Sequence, residues 1–317
     1  MEIIDAVKFL PDKGYFQRMI IYLDKMFPIA PRLAVAVILY LSFTLSLCGV
    51  HGFSFEGISM YSILGIWGIF AITLILRLMD ELKDRQTDMI LFKDRPLPLG
   101  QVKEGDIRHS LFFICLIYIV CHLISQRVLL SSAVTLGYAF LMFKYFFLPR
   151  KSYDCLLLNL ATHNPITVVI LLHLTTIFSV QYDIRFADLN NSFLIILLVE
   201  YWFLFLSWEI SRKIRYPREE TEYITYSGIF GYRRAAFIAF TVQSVSFAVA
   251  CYLYTIIGIS AVYLIIVMAG YLILVFGYAK FLLNKMSTGI KLRTMAETYA
   301  IIMMLATIVD SCLKAVN

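Results

Sequence analysis

Nine long apolar runs separated by short polar segments set the pattern of this chain. They fall at about residues 32–50, 58–79, 109–126, 128–147, 155–178, 191–211, 235–256, 260–282 and 296–315, and each approaches or exceeds the roughly 20 apolar residues that cross a bilayer as a helix. Residues 1–31 mix polar and apolar positions and end in YLDKMFPIAPR, a pattern that predicts an amphipathic helix lying at the interface before the first span. The expectation is an all-α polytopic membrane protein, one integral membrane domain over 1–317, with polar cap loops at 80–108 and 212–234.

Composition agrees with this. Of 317 residues, 60% are hydrophobic and 16% charged, against about 25% charged in an average soluble chain. The mean hydropathy is +0.78. The net charge of +6 does not point to nucleic acid, because the basic residues are confined to loops. Cys48, Cys115, Cys121, Cys155, Cys251 and Cys312 have no CxxC or metal-ligand spacing and read as small buried hydrophobes. Glu2, Asp5, Lys8, Asp12 and Lys13 interrupt the N-terminus before a signal-peptide apolar region forms.

Loop charge alternates. Lys and Arg cluster before span 1 and after spans 2, 4, 6 and 8, while the opposite loops hold only Arg127 and Arg185. The positive-inside rule then puts the N-terminus and the long basic loops in the cytoplasm and, with nine spans, the C-terminus on the far side. The two richest loops follow spans 2 and 6, an offset of four that hints at a duplicated half.

The first of these loops, DELKDRQTDMILFKDRPLPLG over 80–100, has the most chemistry. Asp80, Asp84 and Asp88 recur every four residues, which on a helix stacks them on nearly one face at about 6 Å per step. Three such carboxylates repel one another, so a cation belongs among them. Lys83, Arg85 and Lys93 can serve in part. A pair of Mg²⁺ ions, which take oxygen ligands and share them with substrate phosphates, serves better. A solvated helix end is the usual reading of such runs, but their place at the foot of a membrane helix argues against it.

After the third aspartate come Arg95-Pro96-Leu97-Pro98 and Gly100. The whole stretch resembles the first Asp-rich motif of the UbiA superfamily of intramembrane prenyltransferases, in which N-x-x-x-D-x-x-x-D at the foot of helix 2 precedes RP-hydrophobic-P-x-G. The nine-span, N-inside topology is similar too, so the resemblance extends over essentially the whole chain and implies a nine-helix UbiA-like bundle. It implies Asp84 and Asp88 as Mg²⁺ ligands, Asp80 at or just behind the metal, and Arg95 as a brace for the loop or a phosphate contact, with Lys93 beside it. Asp80 stands where the family usually has Asn.

The second motif departs further. The foot of span 6 reads WEISRKIRYPREETEYITYSGIFGYRRA. Glu209 fits an upstream acid of the family, and Thr225, Gly231 and Ala235 fit its downstream turn. Arg212, Lys213 and Arg215 stand where an aspartate ladder is expected, and Glu219, Glu220 and Glu222 follow as shifted acids. Physically, this loop offers guanidinium forks and an ammonium that bind diphosphate oxygens directly. A basic juxtamembrane loop that sets topology or meets anionic lipid is the simpler alternative.

Span 5 carries Asn159, His163, Asn164, Pro165 and His173, and Pro165 should loosen the helix there. These polar groups, together with Glu200 of span 6, are candidates to line an acceptor cavity; interhelical hydrogen bonding is the simpler role for any one of them. Glu200 lies about 14 Å deeper than Glu209. Lys144 is expected to snorkel, and Asp310 and His122 to sit at the interface.

The expectation is a Mg²⁺-dependent prenyltransferase moving a prenyl group from a prenyl diphosphate to a hydrophobic or aromatic acceptor, embedded in lipid and without nucleic-acid partners. Asp80, Asp84 and Asp88 hold metal, Arg212, Lys213 and Arg215 hold diphosphate, and Glu209 completes a metal shell or positions Lys213. Three alternatives stay open. Asp80-Glu81-x-x-Asp84 also looks like the acidic motif of class I terpene synthases, so a cyclase on the same scaffold is one. Transfer of another diphosphate-activated group, such as a phosphoribosyl unit, is the second. A transporter or lipid-binding scaffold without chemistry is the third.

Overall fold

The computed structural model describes residues 13–148, 155–189, 191–257, 260–283 and 291–316. Among them every regular element is helical, and nine helical segments are long and apolar enough to cross a membrane. The chain is an all-α integral membrane protein. The helices are α1 (Tyr15–Met26), α2 (Ile29–His51), α3 (Met60–Lys83), α4 (Arg85–Leu91), α5 (Glu104–Cys121), α6 (Gln126–Phe143), α7 (Leu156–His163), α8 (Ile166–Gln181), α9 (Asn191–Ser211), α10 (Tyr226–Phe230), α11 (Tyr232–Ile257), α12 (Ala261–Leu283) and α13 (Leu292–Val316). They form two compact units, one of Met1–Val37 and Ser62–Phe146, the other of Ile38–Tyr61 and Phe147–Asn317.

In the first unit, α1 is the amphipathic element expected from 1–31; residues 1–12 lie outside the described residues. Its inner face puts Met19 and Tyr22 into a core with Leu78, Val102 and Ile107, while Phe16 and Ile20 stay exposed on the other. Polar ties fix it in place. Arg18 forks onto Asp106 at 2.6 and 2.7 Å, and the Tyr15 hydroxyl shares a 2.7 Å hydrogen bond with Ser110. Helix α5 starts at Glu104, earlier than the apolar pattern places span 3, because the Asp106 carboxylate accepts the Lys103 N–H at 2.9 Å and caps its first turn. His122, just past the end of α5, is fully buried among the helices, its ring 4.4 Å from that of Tyr118.

In the second unit, span 5 is divided at Asn164-Pro165 into α7 and α8, as the missing proline N–H requires. Helices α9, α11, α12 and α13 pack on one another. Asp310 is buried, accepting the Ser260 N–H at 2.8 Å and pairing with Lys314 at 3.0 Å; it caps the start of α12. The α12–α13 seam is close because Gly270 and Gly277 lack side chains. A methyl at Gly270 would stand 2.7 Å from Ile302 Cγ2, and one at Gly277 2.7 Å from Met295 Sδ. Ile302 is β-branched and stiff, whereas the Met295 thioether can swing away. Gly270→Ala is therefore expected to cost about 1–3 kcal/mol and Gly277→Ala clearly less, read as the ordering of their unfolding midpoints.

Candidate active site

The acid face belongs to the first unit. The Asp84 N–H bonds the Asp80 carbonyl at 2.8 Å and the Asp88 N–H bonds that of Asp84 at 2.9 Å, so the four-residue register runs on although α3 closes at Lys83. The three carboxylates have different partners. Asp80 is half exposed and pairs with Lys83 at 3.0 Å. Asp88 is buried and ion-paired with Arg95. Asp84 has no Lys or Arg within ion-pair distance among the described residues; it accepts a hydrogen bond from the Tyr145 hydroxyl at 3.2 Å. Burial pushes its pKa above the ordinary carboxylate range, Lys83 opposes this, and Asp80 and Asp88 add to it.

This donor chemistry suits Mg²⁺: three carboxylates on one face, the central one short of positive charge. Among the described residues no three acidic, His or Cys side chains already converge as a metal cluster; Asp80 pairs with Lys83 and Asp88 with Arg95. Arg95 also stacks 4.0 Å over the Phe92 ring, and its loop closes through the Gln101 N–H to the Pro96 carbonyl at 2.9 Å, with Gly100 at φ +68°. Lys93 is exposed beside it, and Arg85 is drawn away to Glu104.

Tyr145 carries no motif spacing, and the sequence reading passes over it. It stands 61 residues beyond Asp84, in a left-handed turn of three aromatic residues, Tyr145, Phe146 and Phe147, at φ 49°, 55° and 56°. Such a conformation costs about 1–2 kcal/mol per residue. Here it sets the Tyr145 hydroxyl on Asp84 and its ring 4.9 Å from the Lys83 ammonium.

The basic patch belongs to the second unit. Arg212 forks onto Glu209 at 2.5 and 2.8 Å, and Lys213 lies 3.6 Å from the same carboxylate. Both Glu209 oxygens are thus taken by cations. Tyr223 offers its ring to Lys213 at 6.0 Å and to Arg215 at 5.7 Å. The Arg215 N–H bonds Ser227 Oγ at 2.8 Å, and Thr225 caps α10 by accepting the Gly228 N–H at 2.9 Å. Of the shifted acids, Glu220 accepts from the Thr225 hydroxyl at 2.7 Å and Glu219 from the Tyr216 N–H at 3.4 Å; they fasten the loop's own turns. Burial, with Glu209 adding to it, raises the pKa of Tyr226.

The acceptor candidates have structural partners. Asn164 Oδ1 accepts from Trp202 Nε1 at 2.6 Å, and the His163 ring shares a 3.0 Å hydrogen bond with Thr162. Asn159 is half-buried on α7. Glu200 is 6% exposed, and its backbone carbonyl accepts the Ser246 hydroxyl at 3.2 Å.

No family model matches the sequence, and no curated protein matches it significantly. Two solved structures have its fold. One is described as digeranylgeranylglyceryl phosphate synthase in membranes: 17% identical, covering 93% of this chain and 99% of that one, TM-score 0.61. The other is the apo structure of a UbiA homolog from Aeropyrum pernix K1: 12% identical, covering 88% and 98%, TM-score 0.66. At these identities the likeness shows a shared fold: the chain is built as the synthase and the UbiA homolog are.

Proposed function

We propose that the protein is a Mg²⁺-dependent intramembrane prenyltransferase that moves a prenyl group from a prenyl diphosphate to a hydrophobic or aromatic acceptor. The observation that supports this best is the Asp80–Asp84–Asp88 register at the foot of a membrane helix, in a chain with the fold of UbiA-family prenyltransferases. Asp80, Asp84 and Asp88 would hold Mg²⁺, which when bound supplies Lewis-acid stabilisation of the diphosphate leaving group.

The chain's own residues account for the rest. Arg212, Lys213 and Arg215 bind diphosphate oxygens, with Glu209 fixing the direction of the Arg212 fork. Tyr145 orients Asp84. Apolar helix faces shield the allylic chain from water, and fixed charges act more strongly in such a site. As the allylic C–O bond breaks, its electron pair leaves with the diphosphate and the acceptor nucleophile forms the new bond to carbon. The polar ends face the cytoplasm, as the loop charges expect.

The cyclase alternative loses ground at Glu81, which is 1% exposed and paired with Arg77, so Asp80 and Glu81 do not present two ligands together. The deciding experiment incubates the purified protein in lipid nanodiscs with prenyl diphosphates of several lengths and Mg²⁺, with and without a lipid extract as acceptor source. Diphosphate release that depends on Mg²⁺ and on acceptor is expected. A cyclic product without acceptor would favour cyclisation, and no release with any donor would leave a scaffold.

A further inference from the structure

One turn deeper than the acid ladder, α3 carries a polar cluster that the reaction above does not use. Arg77 lies three residues before Asp80, about 4.5 Å further along the helix, and shares a face with Asp80, Asp84 and Asp88. It is ion-paired with Glu81. Tyr22 of α1 is fully buried and shares a core with Leu78, the residue after Arg77; burial pushes its pKa up to about 12, with Arg77 the principal opposing influence. Three buried polar atoms in this cluster, Tyr22 Oη, Arg77 Nε and Glu81 Oε2, have no hydrogen-bond partner among the described residues.

Stability does not explain the cluster. Charges at membrane depth are costly, and a buried pair seldom repays its desolvation. Arg before Glu is also the less favourable order for a pair four residues apart. The exposures differ: 25% for the Arg77 side chain against 1% for that of Glu81. Glu81 therefore holds one edge of the guanidinium from a buried position, and Arg77 presents the other.

We infer that Arg77 is a substrate-contact residue, donating N–H groups to an anionic oxygen of the bound diphosphate one turn deeper than Asp80, with Glu81 as its positioning residue. This rests on the prenyl-diphosphate reading. The pair is neutral overall, so its contribution is directed hydrogen bonds more than net attraction. It also answers the extra carboxylate at Asp80, which by itself makes this face more repellent to an anion.

The test titrates inorganic pyrophosphate, and then a prenyl diphosphate, into the full-length protein in nanodiscs with Mg²⁺ present. Arg77→Met is expected to weaken binding of both about tenfold or more. Glu81→Gln removes a negative charge yet is also expected to weaken binding, because the guanidinium loses its hold; tighter binding would overturn the positioning role. A lowered unfolding midpoint with unchanged affinity would make the cluster structural only and overturn the inference. If Arg77→Met does not fold, Arg77→Lys keeps stem and charge; it should bind several-fold more weakly, and wild-type affinity would overturn the proposal. Asp84→Asn separates the two readings. If it abolishes turnover while the Arg77 variants bind normally, this inference alone fails; if wild type binds neither ligand, the prenyl-diphosphate reading fails with it.

Discussion

Replacing Asp84 with Asn is expected to abolish diphosphate release and to raise the unfolding midpoint at the same time. The loss, at least about 100-fold, follows from removing the central carboxylate of the face proposed to hold Mg²⁺. The gain in stability follows from what the fold does to that carboxylate. Burial and the flanking Asp80 and Asp88 raise its pKa in the native state, and Lys83 only partly offsets them. A group whose native pKa is raised contributes stability below its unfolded pKa and loses it as pH rises through the native value. Above the native value that contribution is gone, and the ionised Asp84 carries the penalty of its surroundings. Asn carries no charge at any pH and still accepts the Tyr145 hydrogen bond. The difference in midpoint between variant and wild type should therefore grow as pH rises from the ordinary carboxylate range through the native value, then level off. Thermal unfolding across that range, paired with diphosphate release at one pH, checks both halves. A variant that loses activity without gaining stability would show that Asp84 is already compensated in the resting protein.

The span count and the acid register were legible because they are local. An apolar run of helical length needs lipid or other helices around it, and a four-residue repeat of aspartates shares a face in any helix. Pro165 likewise announced the break between α7 and α8 through its missing N–H. Pairing was not legible. No spacing rule links Asp84 to Tyr145, 61 residues on, and a left-handed aromatic turn has no sequence signature once glycine is absent from it. The early start of α5 came from the Asp106 cap, which hydropathy alone cannot weigh. Arg77 did leave a signal: a charge inside an apolar run, four residues before Glu81. Reading that run as a span and Glu81 as part of the acidic motif after it passed over the pair. The partners of His122 and Asp310 were not legible either, since polarity near a span end does not announce Tyr118 or Ser260.

Replacing Arg95 with Met is expected to be the most damaging change to the stability of the acid face. Asp88 is 4% exposed, and Arg95 is the cation paired with it. Removing one partner of a buried pair leaves the other charge without compensation, at about 3–5 kcal/mol. The 27% exposure of the Arg95 side chain admits some water and places the expected loss near 3 kcal/mol. Met keeps the apolar stem against Phe92, and the Pro96 carbonyl still receives the Gln101 N–H, so the loss reports the charge and not the loop. A second substitution decides this. Asp88→Asn in the Arg95→Met background removes the stranded charge, and the double variant should recover most of the lost stability, leaving a coupling of about 2 kcal/mol. Urea or thermal unfolding of the four proteins in one detergent gives the cycle. Activity should not recover with stability, because Asp88 is then absent from the face that Mg²⁺ is proposed to join. If the double variant is as unstable as Arg95→Met alone, Arg95 supports the fold through its stacking on Phe92, and the ion pair is incidental.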